Sequence, residues 1–105
     1  MKHIVGDIGN TLIKICILND NLKIIKSFNF EKNKIYKKNY LMIILKNYLN
    51  KSLNSNFIFS SVVPSVLKEI KRKFKSTKYK IHEIKDFDLK KIIKINVKKK
   101  NQLGS

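Results

Sequence analysis

Alanine is absent from the 105 residues, and cysteine and arginine occur once each. Each scarcity removes a class of function. With Cys16 as its single cysteine, set inside an apolar run, the chain builds neither a disulfide framework nor a cysteine zinc site, and a reduced cytoplasmic setting fits. Arg72 as the only arginine argues against sequence-specific DNA reading, because the guanidinium fork is the preferred partner of guanine edges and phosphates. Acidic residues are few, 7 against 24 basic, for a formal charge of +17. No apolar run approaches the ~20 residues needed to span a bilayer. Asp7 interrupts the amino-terminal segment after two aliphatic residues, too soon for a signal peptide.

What replaces the missing residues is lysine, isoleucine and asparagine: 23, 17 and 12 of them, together 52 of 105. Codon drift in an AT-rich genome produces that bias, so the positive charge reads as a solvated lysine coat and nucleic acid as an unlikely partner. The length suits one domain, which on folding buries roughly 60 to 65% of the surface its unfolded chain exposes.

Ile4 and Val5 lead into Gly6-Asp7-Ile8-Gly9-Asn10-Thr11, and Leu12 to Leu18 is β-rich with Lys14 its only charge. This is strand, tight turn, strand. Asn19-Asp20-Asn21 marks a second turn, because Asn and Asp tolerate left-handed backbone and bond locally. A third strand is expected over Leu22 to Phe30. Residues 29 to 39 lack a period and read as loop. Leu41, Ile44, Leu45, Tyr48 and Leu49 share one stripe of a helix expected over 38 to 51. Phe57 to Val62 reads as a strand buried on both faces. Pro64 suits the first turn of a helix whose stripe is Val63, Leu67, Ile70 and Phe74, ending near Ser76. Strands are expected at Tyr79 to Ile84 and at Ile92 to Val97. The order β-β-β-α-β-α-β predicts an α/β domain with a mixed sheet and packed helices, the layout of ribonuclease-H-like domains.

Asp7 to Thr11, between two strands, is the segment with chemistry in it. Phosphate binding needs backbone N–H groups that approach closely, and Gly9 carries no Cβ to block them. Asn10 and Thr11 add side-chain donors, and Asp7 is placed to hold a hydrated Mg²⁺ bridging ATP phosphates. Lys14 lies about 10 Å from Thr11 at ~3.3 Å per residue, so its side chain can lean back toward the phosphates. An Asp-x-Gly-Asn turn is equally a common hairpin connection whose side chains bond their own backbone. Turn chemistry alone leaves both readings open.

Three segments together resemble the type III pantothenate kinases: Asp7-Ile8-Gly9-Asn10-Thr11 with Lys14, then Phe59-Ser60-Ser61-Val62-Val63-Pro64-Ser65-Val66, then Gln102-Leu103-Gly104-Ser105. The resemblance spans the chain as the family's amino-terminal half, in the actin-like ATPase superfamily. It implies ATP-dependent phosphorylation of pantothenate to 4'-phosphopantothenate, the first step toward coenzyme A. It further implies an ATP phosphate site formed by Asp7, Ile8, Gly9, Asn10, Thr11, Leu12, Ile13 and Lys14. Gly104 and Ser105 would begin a substrate-binding Gly-x-Asp-Arg motif whose aspartate, the general base, falls directly after Ser105. A second domain with the adenosine site, a monovalent-cation site for K⁺ or NH₄⁺ and most of a homodimer surface would also lie outside these residues. A truncated form inactive alone is the expectation.

Two departures from the family pattern stand out. Val97 occupies the position seven residues before Gly104 where members usually carry a substrate-binding tyrosine, and Glu31-Lys32-Asn33-Lys34 replaces a Thr and Asp-Glu stretch. His3 and His82 lack partners at metal-ligand spacing and read as structural or solvated. Cys16 reads as core packing, and Asp86 and Asp88 as solvated or helix-start residues. The rival expectations are a non-enzymatic, DNA-associated regulator related to the family, and a superfamily ATPase with another small acceptor.

Overall fold

The structure is a computed structural model and describes residues 1–85. Isoleucine-rich runs separated by short polar turns form β1 (His3–Ile8), β2 (Leu12–Leu18) and β3 (Ile24–Glu31). They pair antiparallel as a meander. A 3-10 helix (Lys32–Tyr36) and α1 (Tyr40–Leu45) carry the chain across to β4 (Asn56–Ser61), which runs parallel to β1. α2 (Pro64–Phe74) then leads to β5 (Lys80–Glu83), parallel to β4. The sheet order is β3-β2-β1-β4-β5, which puts β1 at the centre.

Strand alternation divides the residues between two faces. Ile4, Ile8, Ile13, Ile15, Ile17, Phe57 and Phe59 are buried in one cluster with Leu41, Leu45, Val66, Leu67, Ile70 and Phe74 of the two helices. Phe57, Phe74 and Tyr79 form an aromatic group with ring centroids 5.0 to 6.2 Å apart. The other face holds a smaller cluster of Val5, Cys16 and Leu18, with Leu22 and Ile58 against it. Farther along the same strands that face becomes polar. Gly6 belongs to the helix side, opposite Phe59 in the β1–β4 pairing. A Cβ there would stand 2.5 Å from Phe59 Cδ2 and 2.8 Å from Cζ, so the close approach of the ring requires glycine.

The expected order of elements is present through β5, with three boundary corrections. The helix expected over 38 to 51 is only the six residues of α1. Its entry residue, Asn39, is left-handed and makes no side-chain cap. Beyond Leu45 the bonds tighten to Lys46 N–Ile43 O and Tyr48 N–Leu45 O, and Asn50 Oδ1 accepts from the Ser52 amide at 2.9 Å. The apolar stripe survives this shortening, since Leu41 and Leu45 are buried while Ile44, Tyr48 and Leu49 still pack on the core. Second, the supposed loop over 29 to 39 is partly regular. β3 continues to Glu31 opposite Leu12, and the 3-10 helix buries Ile35. Third, α2 stops at Phe74, whose carbonyl accepts the Thr77 hydroxyl at 2.7 Å and the Thr77 amide at 3.1 Å. The strand expected at 92 to 97 lies outside the described residues.

Candidate functional site

Asp7 is the penultimate residue of the central strand and is exposed on the face away from the helices. Its neighbours across the ladder are Lys14 on β2 and Ser60 on β4. The Ser60 hydroxyl donates to Asp7 Oδ1 at 2.8 Å. Ser60, 9% exposed, is the only buried polar residue among the described residues. Lys14 is exposed, stands opposite Asn29 of β3, and forms no ion pair within 4.0 Å among the described residues. A polar row, Asn29, Lys14, Asp7, Ser60, therefore crosses four strands. Lys14 does not need to lean back along its strand; antiparallel pairing sets it beside Asp7.

The turn after Asp7 is held from three sides. The Gly9 amide donates to Leu12 O at 2.9 Å, the Lys32 amide to Thr11 O at 3.0 Å, and the Val62 amide to Ile8 O at 3.0 Å. A Cβ on Gly9 would meet Leu12 O at 3.2 Å, tighter than ordinary contact. Asn10, Thr11 and Leu12 are exposed, whereas the Ile8 and Ile13 side chains are wholly in the core. Those two residues can meet a ligand only through their main chain.

Two clefts flank this turn. The first, about 450 Å³, is lined by Asp7, Ser60, Ser61, Val62, Glu83, Ile84 and Lys85. The second, about 220 Å³, is lined by Asn10, Thr11, Glu31, Lys32 and Asn33. The segment read as one phosphate grip thus presents Asp7 to one side and Asn10 and Thr11 to the other. A larger groove of about 730 Å³ runs between α2 and β5, lined by Lys68, Lys71, Arg72, Lys75, Tyr79 and Lys80 among others. It touches none of the turn residues, and its lysines belong to the general coat, so size alone does not make it the site.

The donor set suits a magnesium ion carried on nucleotide phosphates. Asp7 offers a hard oxygen, with Oδ1 already satisfied by Ser60 and Oδ2 unpartnered among the described residues. No three His, Cys, Asp or Glu side chains cluster among the described residues. Nucleotide-bound Mg²⁺ needs no such cage, since waters and phosphate oxygens fill most of its six positions.

Ser60 and Lys32 are the neighbours that sequence reasoning did not attach to the turn. The signal for Ser60 was a hydroxyl inside an apolar strand; for Lys32 there was none, because its link to Thr11 is a backbone bond. The residues set aside occupy structural places. His3 Nδ1 is 3.3 Å from Asn54 Nδ2, His82 Nε2 is 2.8 Å from Asn56 Oδ1, and buried Cys16 donates to Ser27 Oγ at 3.7 Å. Asp86, Asp88, Val97, Gly104 and Ser105 lie outside the described residues.

Comparison with known proteins fits the constellation. A family profile described as type III pantothenate kinase matches residues 3–105. A curated type III pantothenate kinase of Pelagibacter ubique (strain HTCC1062) is 44% identical over 104 residues, covering 97% of this chain. The chain spans 41% of that relative's length. With the turn, the double serine and the Pro64 helix start all inside the matched range, the chain belongs to the type III pantothenate kinase family.

Proposed function

We propose that these residues form the phosphate-binding part of an ATP-dependent kinase that converts pantothenate to 4'-phosphopantothenate. The observation that supports this most directly is the exposed Asp7 carboxylate between Lys14 and Ser60 on the central strand, beside the Gly9 turn. The strand order β3-β2-β1-β4-β5, with only β2 antiparallel to both its neighbours, supports a ribonuclease-H-like domain of the actin-like ATPase superfamily. In this reading Asp7 Oδ2 holds the hydrated Mg²⁺ of the nucleotide, which when bound spreads the charge of the transferring phosphoryl group. The Asn10 and Thr11 amides and side chains grip phosphate oxygens, while the Gly9 amide closes the turn on Leu12 O. Lys14 supplies a cation close to the Asp7 side of those phosphates.

The acceptor is a primary hydroxyl, too weak an acid to attack unaided at neutral pH, so a carboxylate must orient it and take its proton. Asp7 is committed to the metal. The family resemblance puts the base directly after Ser105, with Gly104 and Ser105 contacting pantothenate. A K⁺ or NH₄⁺ site and a homodimer surface belong to the rest of the family's length, and we place the reaction in the cytoplasm. Among the described residues no helix is long and apolar enough to cross a membrane. The DNA-associated alternative gains nothing from the family match.

The test is a coupled assay with ATP, Mg²⁺ and K⁺ on two proteins: residues 1–105 alone, and the same residues within a chain of the relative's full length. The long chain should phosphorylate pantothenate and the short one should not. Comparable turnover by both would overturn the placement of the base, and inactivity of both the pantothenate reading.

A further inference from the structure

We propose that Ser60 is the positioning residue of the Asp7 carboxylate, an inference that rests on the phosphate-site reading above. A carboxylate on an exposed strand end turns freely about its last bond and exchanges its two oxygens. Here Ser60 takes one of them: its hydroxyl donates to Oδ1 at 2.8 Å across the β1–β4 ladder. Oδ2 is left for a cation, on the side of the cleft that both residues line. Ser60 is itself buried, in a strand between β1 and β5. The neighbouring Ser61 has a different task. Its hydroxyl donates to Val63 O at 2.8 Å and accepts from the Val63 amide at 2.9 Å, fixing the turn into α2. Strand alternation sends the two hydroxyls to opposite faces, so the serine pair divides between aligning the carboxylate and starting the helix.

A buried hydroxyl needs some partner in any case, so the test must separate alignment from mere satisfaction. The probe is Mn²⁺–ADP, titrated into these residues within a chain of the relative's full length and followed by water-proton relaxation and by paramagnetic broadening of backbone amides. Ser60→Ala should weaken binding about tenfold, as loss of a group that orients a metal ligand does, with an unchanged melting temperature. Ser60→Thr should restore most of it, and broadening in the parent should centre on Asp7. Binding by Ser60→Ala equal to the parent, where Asp7→Asn loses it, overturns the positioning role and leaves the phosphate site standing. Affinity and melting temperature falling together, without rescue by threonine, makes Ser60 a fold residue and also overturns it. No binding by the parent, or full binding by Asp7→Asn, overturns the phosphate-site reading and this inference with it.

Discussion

Replacing Gly6 by alanine should damage the fold through one identifiable contact. The new Cβ would stand 2.5 Å from Phe59 Cδ2 and 2.8 Å from Cζ, where carbon atoms rest at about 3.5 to 4.0 Å. The ring must therefore retreat by about 1 Å. Phe59 is 1% exposed, so it has no open side to move into, and overpacking of this kind costs about 1 to 3 kcal/mol. At about 4 to 8 °C per kcal/mol for a domain of this size, a loss near 2 kcal/mol lowers the melting temperature by about 8 to 16 °C. Thermal and urea unfolding followed by circular dichroism would read it. The mechanism makes a second demand: in the background of Phe59→Leu, which removes ring atoms, the added methyl should cost much less. Gly6→Ala melting with the parent, or the two substitutions adding without interaction, would refute the contact as the reason for the glycine.

Two further perturbations act away from the site. Asn39 sits at φ 61° and ψ 11°, exposed and without a side-chain cap bond, so Asn39→Ala should destabilise by about 1 kcal/mol while Asn39→Gly stays within a few tenths; equal stability of the Ala and Gly variants would contradict the left-handed backbone. On α2, the Arg72 guanidinium binds Glu69 in a two-bonded fork at 2.6 and 2.8 Å, and with the help of its charge and that of Lys73 this holds the Glu69 carboxyl below its ordinary 4.5 despite some opposing burial. A depressed carboxyl contributes stability that is present above the unfolded value and is lost as pH falls through the folded one. The parent should therefore exceed Glu69→Gln at pH 7 and converge with it below that depressed value, and a difference that persists at the lowest pH where both fold would contradict the pairing.

Legibility in the sequence followed the distance over which each feature is determined. The apolar stripe that predicts a helix over 38 to 51 does face the core. Yet a stripe records which side chains are buried and not whether the backbone between them stays helical. Asn39 at its entry, Asn50 beyond its end and adjacent β-branched Ile43 and Ile44 all favour a shorter helix. The turn at Asn19 shows the opposite limit. Asn19 bonds locally as expected, its Oδ1 accepting the Asn21 and Lys23 amides at 2.9 and 3.0 Å, but the left-handed residue is Leu22, at φ 60°. Packing of its side chain against Val5, Cys16 and Leu18 accompanies a conformation that intrinsic preference would have given to an asparagine.

The polar row shows why half of the site could be found on paper and half could not. In an antiparallel hairpin paired positions have a constant sum, so once the Gly9 turn sets Ile8 opposite Ile13, Asp7 must stand opposite Lys14. Period-two alternation then puts both on one face, and the lone charge in β2 finds its reason from local sequence alone. Ser60 reaches the same row only through a parallel pairing 53 residues away, set by a crossover whose register no turn dictates. Nothing near Ser60 in sequence says whether it or Ser61 meets Asp7, because a slip of one residue would exchange their faces. The burial of Phe57 and Phe59 against α2 settles it: their parity commits Ser61 to the helix side and Ser60 to the carboxylate. The Phe59 ring that leaves room only for glycine at position 6 thus also helps fix which serine hydroxyl reaches the site.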